Sequence, residues 1–383
     1  MEELGLSMNE PTGTANAAPA SPAPFQVTTT GEFATIIGAL GKTLAIASYN
    51  SGLLLLASAA PGGIALLSRA FDKPMSIAAR GPGLVVATRN DLIHFAASRS
   101  LAPGMPRSPN TYDVLWMPRS VAFTGEIDLH DIDMSGAAPL GVATRFSCIA
   151  RFDNSASFVP LWRPPFITET TPEDRCHLNG LAVDAAGAPR FVTMLGASDT
   201  AQGWRQGRVT GGVLMSVPEG RVLLQDGLCM PHSPRLVGED LLFLNSGAGE
   251  VVRMANAKGE PEVLARLSGY TRGFAAHGDL LFVGLSRLRD RNGAGHQELP
   301  VERAGTPLSC GVAVLDRQSG RVLGDMRLSG SVNEVSDLAL LDGPGRHGLI
   351  SHTDALHRDA LALPEMGFWS VNETAERSSQ PVH

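Results

Sequence analysis

The feature that most constrains this chain is a recurring unit in which a polar residue stands four positions ahead of an apolar one and opens a strand, turn, strand segment. Its fullest form is Arg175-Cys-His-Leu-Asn-Gly-Leu-Ala-Val-Asp184. His130-Asp-Ile-Asp-Met134 precedes it and His232-Ser-Pro-Arg-Leu236 follows. The three histidines recur at intervals of about 50 residues, the length of one propeller blade. A chain built on such units stacks small antiparallel sheets around an axis.

The rest of the chain agrees with that reading. Short β-prone runs punctuated by Gly, Asn and Asp predict strands over 33–40, 43–49, 53–58 and 63–68, and comparable sets follow to about residue 352. Gly 42 and Pro 26 are high, and no amphipathic pattern of helical length persists between the strands. The expected fold is all-β: a single β-propeller of six or seven blades, mostly four-stranded and antiparallel, the count falling to six if the first and last segments share a blade. Its expected span is 25–363, after an Ala/Pro/Ser-rich flexible tail over 1–24 and before a C-terminal tail over 364–383.

Charge and cysteine usage narrow the function. A net charge of -7 with no Lys/Arg run argues against a nucleic-acid partner. Cys148, Cys176, Cys229 and Cys310 form no CxxC pair, which predicts reduced thiols. The opening Met-Glu-Glu is followed by no basic and apolar leader pattern, and no apolar run approaches a membrane span. The expectation is a cytoplasmic protein with no membrane partner. The P-loop and G-x-S-x-G patterns are absent.

Aligning the inner strands on Ile77, Met134, Leu181, Leu236, Phe274 and Leu338 places Lys73, His130, His177, His232, Tyr270 and Glu334 at one register. Equal register on strands that surround an axis means equal height. His130, His177 and His232 are thus candidate ligands of one transition metal, iron favoured and copper, manganese or zinc possible, with open positions for water or substrate. Tyr270 and Glu334 are candidate catalytic groups, Glu334 also a candidate fourth ligand. Asn179, Arg235, Arg272, Arg145, Trp204 and Arg205 are candidate substrate contacts, with Arg235 and Arg272 suited to grip an anionic group in bidentate fashion. Asp131 or Asp133 is placed to orient an imidazole or to make a turn contact. The structural alternatives are ordinary: a strand histidine that only packs, a carboxylate bonded within the inner strands, inter-blade salt bridges for the arginines.

At these residues the chain resembles a bacterial family of conserved hypothetical proteins, a domain of unknown function of propeller type. The resemblance is carried by Phe71-Asp-Lys-Pro-Met75, Leu129-His-Asp-Ile132, Thr144-Arg-Phe-Ser-Cys148, Phe158-Val-Pro-Leu-Trp-Arg-Pro-Pro-Phe166, Asp174-Arg-Cys-His-Leu-Asn-Gly180, Gly203-Trp-Arg205, Met230-Pro-His-Ser-Pro-Arg235 and Phe282-Val-Gly-Leu-Ser286. It implies the fold and brings no settled activity.

The function expected from the register is that of a metalloenzyme, an oxygen-activating oxidoreductase before a metal-assisted lyase or hydrolase, acting on a small anionic molecule or a modified amino acid or peptide. A non-catalytic propeller that binds a protein or peptide on one face is the alternative from another class. A calcium-dependent lactonase-like propeller would need carboxylates and Asn on the axis, where this chain has imidazoles.

Overall fold

The computed structural model describes residues 24–225, 227–288 and 297–370; the tail expected over 1–24 lies almost wholly outside them. Six sheets surround one axis as the blades of a β-propeller. The first blade runs outward from Asp337–Asp342 through Lys42–Ser48 and Leu53–Ala60 to Gly63–Ala70, so its innermost strand comes from late in the chain. The first and last segments do share a blade, and the count is therefore six. Ser76–Arg80, Leu129–Asp133, Leu178–Val183, Pro231–Val237 and Tyr270–His277 are the innermost strands of blades two to six.

Two further strands tie the ring. Phe25–Gly31 adds antiparallel to Val322–Gly330 on the outer edge of blade six, and His347–Leu349 pairs in parallel with Val114–Phe123 on blade two. Beyond them Gly367–Trp369 pairs with Ala360–Ala362, and the Trp369 indole donates to the Leu101 carbonyl at 3.0 Å. Regular structure thus passes the boundary expected at 363.

The near-continuous apolar runs follow from burial on both faces of each blade. Along Lys42–Ser48, Leu44 and Ile46 pack against blade six with Phe282 and Val312, while Ala45 and Ala47 pack against blade two with Leu84 and Val86. The same alternation recurs at the other blade interfaces, for example Val142 and Ile149 against Leu181 and Val192, or Leu244 and Val251 against Phe274 and Val283. Period-two alternation here sorts side chains between two dry interfaces instead of between core and water.

One sequence expectation is corrected. Phe33–Leu40 is an α-helix, not a strand. Phe33, Ile36 and Ile37 lie on one helical face and are buried in the layer between blades one and six. Gly41 ends the helix at φ 58, a left-handed conformation that glycine adopts without Cβ strain. An eight-residue apolar run satisfies a strand or a helix template equally, and only the neighbours it finds decide.

Side chains brace the inner ring from blade to blade. Asp337 accepts from the Ile77 amide at 3.0 Å, Asp131 from the Leu181 amide at 3.0 Å, and the Ser233 hydroxyl from the Gly273 amide at 3.2 Å. In the other sense, Ser76 donates to the Leu129 carbonyl and Thr144 to the Leu178 carbonyl. These main-chain groups face a neighbouring blade without ladder partners there, and each brace satisfies one that would otherwise be buried bare. Among the described residues no helix is long and apolar enough to cross a membrane.

Candidate active site at the mouth of the axis

Lys73, His130, His177, His232, Tyr270 and Glu334 all line one cavity of about 920 Å³ at the end of the axis where the innermost strands begin. Backbone irregularity at that end turns the side chains inward. The ladders shift register between His232 and Arg235 and between Thr271 and Phe274, and Lys73, His177 and Ser233 adopt left-handed backbone at φ 53, 50 and 50. Non-glycine residues are seldom found there, and such conformations gather at functional sites.

The hydrogen bonds of the imidazoles fix their tautomers. His130 Nδ1 lies 2.9 Å from the Asp128 carbonyl and 2.9 Å from Thr144 Oγ1, whose own proton goes to the Leu178 carbonyl at 2.6 Å. Both neighbours can only accept, so Nδ1 carries the hydrogen. His232 Nδ1 meets the Met230 carbonyl at 2.8 Å and Ser246 Oγ at 3.1 Å, with the Tyr270 hydroxyl at 3.4 Å. His177 Nδ1 lies 3.0 Å from both carboxylate oxygens of Asp174. In each ring Nδ1 is taken up by the protein and Nε2 has no hydrogen-bond partner among the described residues.

Burial first, then the charge of neighbouring groups, holds His130 and His232 well below the usual histidine range; His177 and Arg272 act on His130, and Arg272 on His232. Both rings are neutral at pH 7, each with a lone pair on Nε2. The centroids of His130 and His177 are 4.8 Å apart, edge to face. As the side chains stand, no group of three or more His, Cys, Asp or Glu among the described residues is arranged to hold a metal ion.

Around the imidazoles stand a wall and a floor. Trp204, from an insertion in blade four, packs 4.5 Å from His177 between centroids and donates from its indole to Asp174 at 3.0 Å. Arg205 lies with its guanidinium 4.5 Å above the Trp204 ring. Arg272, only 7% exposed, sits beside Glu334 at 3.5 Å and over Tyr49 at 5.2 Å. Arg145 and Lys73 reach the rim, paired with Glu126 and Asp128.

Two expected substrate contacts lie elsewhere. Arg235 does not line the cavity; Asp131 takes its guanidinium at 2.8 and 3.0 Å, and the Leu181 and Pro234 carbonyls take further donors. It is a brace between inner strands. Asn179 is buried away from the cavity, accepting from Thr193 Oγ1 at 2.8 Å. Neither candidate orienting carboxylate touches an imidazole: Asp131 serves Arg235 and Leu181, and Asp133 caps a turn at the Ser135 amide. Sequence reasoning missed Asp174, Thr144, Ser246 and Tyr49. A signal existed for two of them, since Thr144 and Ser246 each fall 14 residues after the histidine they touch.

A family model described as Domain of unknown function (DUF4915) matches residues 31–349. The chain belongs to this family. All six register positions lie within the matched stretch. No curated protein matches the chain. Among solved structures it is similar to a protein of unknown function from Bacteroides caccae, at 10% identity and a TM-score of 0.48, over 78% of this chain and 98% of that one. It is likewise similar to a chain of a nidogen/laminin complex, at 10% identity and a TM-score of 0.46, over 79% and 99% of the two chains.

Proposed function

We propose that this DUF4915 protein is a metal-dependent enzyme whose ion is held by Nε2 of His130, His177 and His232. One observation carries the reading: three imidazoles of different blades face one cavity, each with Nδ1 engaged by a carbonyl, hydroxyl or carboxylate. Ligating histidines are oriented in that manner, the second nitrogen fixed so that the first presents its lone pair. The donor set suits iron, copper, manganese or zinc. Ion uptake includes closure of the rings, which do not stand as a finished coordination sphere.

An ion with three imidazole ligands keeps open positions; iron, which we favour, would supply oxygen activation and make the protein an oxidoreductase, whereas zinc would supply Lewis-acid chemistry for a lyase or hydrolase. The chain's own groups do the rest. Tyr270 presents a phenol beside His232, suited to give or take a proton at the cavity. Glu334 anchors Arg272. Trp204 and Arg205 form a flat cationic wall on which a small organic molecule or a modified amino acid or peptide can lie.

The test is elemental mass spectrometry on untagged protein, parent and His177→Ala, after reconstitution with each ion. About one equivalent of a transition metal in the parent and under a tenth in the variant is expected, and the element retained chooses between the two chemistries. A parent that stays metal-free with every ion refutes the metalloenzyme and leaves a propeller that binds a partner on this face.

A further inference from the structure

The guanidinium of Arg272 is buried and faces the cavity, yet its protein acceptors are poor. Among the described residues its hydrogen bond goes to the thioether sulfur of Met75, at 3.5 Å from Nη2. Glu334 stands 3.5 Å from Nη1, a distance of charge attraction more than of a formed hydrogen bond. Tyr49 covers a face of the group and supplies no in-plane acceptor from its ring. By contrast Arg235, one layer below, has a bidentate carboxylate and two carbonyls. Two arginines of neighbouring inner strands thus contrast: Arg235, half-buried, is saturated with acceptors, and Arg272, buried, is not.

A buried cation whose N–H donors lack acceptors is costly unless the functional state provides them. We propose that Arg272 is the anchor for a substrate carboxylate, so that the site takes small carboxylic acids, and that Trp204 and Arg205 hold the remainder of the molecule; this rests on the enzyme reading above only for what then happens to the substrate. The planar fork of a guanidinium matches the planar carboxylate through paired N–H···O bonds. A monoanion also suits the local charge, since Glu334 already offsets part of the arginine's. Of the other charged groups of the cavity, Lys73, Arg145, Asp128, Asp174 and Glu173 have ion-pair partners, Arg205 lies on Trp204 and donates to Gln202, and the half-buried Arg287 donates to the Val332 carbonyl while its Nε goes without a partner among the described residues. Among the described cations of the cavity Arg272 is the one that is buried and held by a thioether and a distant carboxylate.

The experiment is isothermal titration of chelator-treated full-length protein with monocarboxylates from acetate to 3-phenylpropionate, and with inorganic phosphate. The expected result is saturable binding of the larger carboxylates and at least tenfold weaker binding of phosphate. Arg272→Gln should weaken carboxylate binding tenfold or more. Glu334→Gln, which removes the competing acceptor and keeps the arginine, should tighten it several-fold with an unchanged circular dichroism spectrum. Carboxylate affinity that Glu334→Gln lowers or leaves unchanged overturns the proposal, as does phosphate binding as tight as carboxylate or the lack of any carboxylate binding. Because the protein is metal-free in this titration, binding here with no metal uptake above would refute the metalloenzyme alone, and metal uptake without binding here would refute the anchor alone.

Discussion

The hydroxyl of Thr144 gives its proton to the Leu178 carbonyl, and that donation obliges it to accept from His130 Nδ1. A threonine on the turn after the second strand of blade three therefore decides which nitrogen His130 shows to the cavity. Thr144→Val should keep the fold and, by removing an acceptor at Nδ1, weaken metal retention about tenfold in a chelator competition. Asp174→Asn acts on His177 with more force, since a carboxylate is lost, and a 10- to 100-fold loss is expected in the same assay, on the order of the effects of outer-shell partners elsewhere. At this scale the sequence was legible where residues share a register and opaque where they do not. His130, His177 and His232 could be aligned because their strands repeat. Asp174 and Tyr49 could not, because they reach the site from loops whose course depends on the closed ring.

Between residue and molecule, the helix Phe33–Leu40 and the strand Phe25–Gly31 form the seam where the ring closes on blade six. Ile37 is fully buried in that seam, among Leu44, Phe282 and Met326. Ile37→Ala should lower the unfolding free energy by about 2–5 kcal/mol, measured by urea denaturation, and leave metal content unchanged, because the seam lies away from the cavity mouth. The strands were readable from apolar runs bounded by turn residues. The helix was not, since Phe33-Ala-Thr-Ile-Ile-Gly-Ala-Leu40 carries β-branched residues together with an i, i+3, i+4 face, and tertiary contact settled the matter. Arg235 was misplaced for a related reason: register gives its height, while the direction of its side chain is set by Asp131 from two blades away.

Over the molecule as a whole, the axis is polar at two levels, the cavity and the ion-paired layer of Asp131, Arg235 and Asp337 beneath it. Burial and then the neighbouring Asp131 push the Asp337 carboxyl up to about 7, against the opposing pull of Arg235 and two backbone amides. The folded state therefore binds a proton that the unfolded chain, with an aspartate near 4, has already released. Stability from this group is present at acidic pH and is lost as pH rises from about 4 to 7. Urea titrations of the parent and Asp337→Asn at pH 5 and pH 7.5 should differ: the parent should lose about 2–3 kcal/mol more than the variant across that interval. The innermost strand of the first blade, Asp337–Asp342, is made after the other innermost strands. A chain emerging from the ribosome can thus complete blades two to six in order, but it has neither Glu334 nor a closed rim until nearly all of the ring has been translated. A copy terminated before Glu334 therefore carries His130, His177 and His232 on adjacent blades, yet lacks the carboxylate that stands beside Arg272 and the strand that closes the ring.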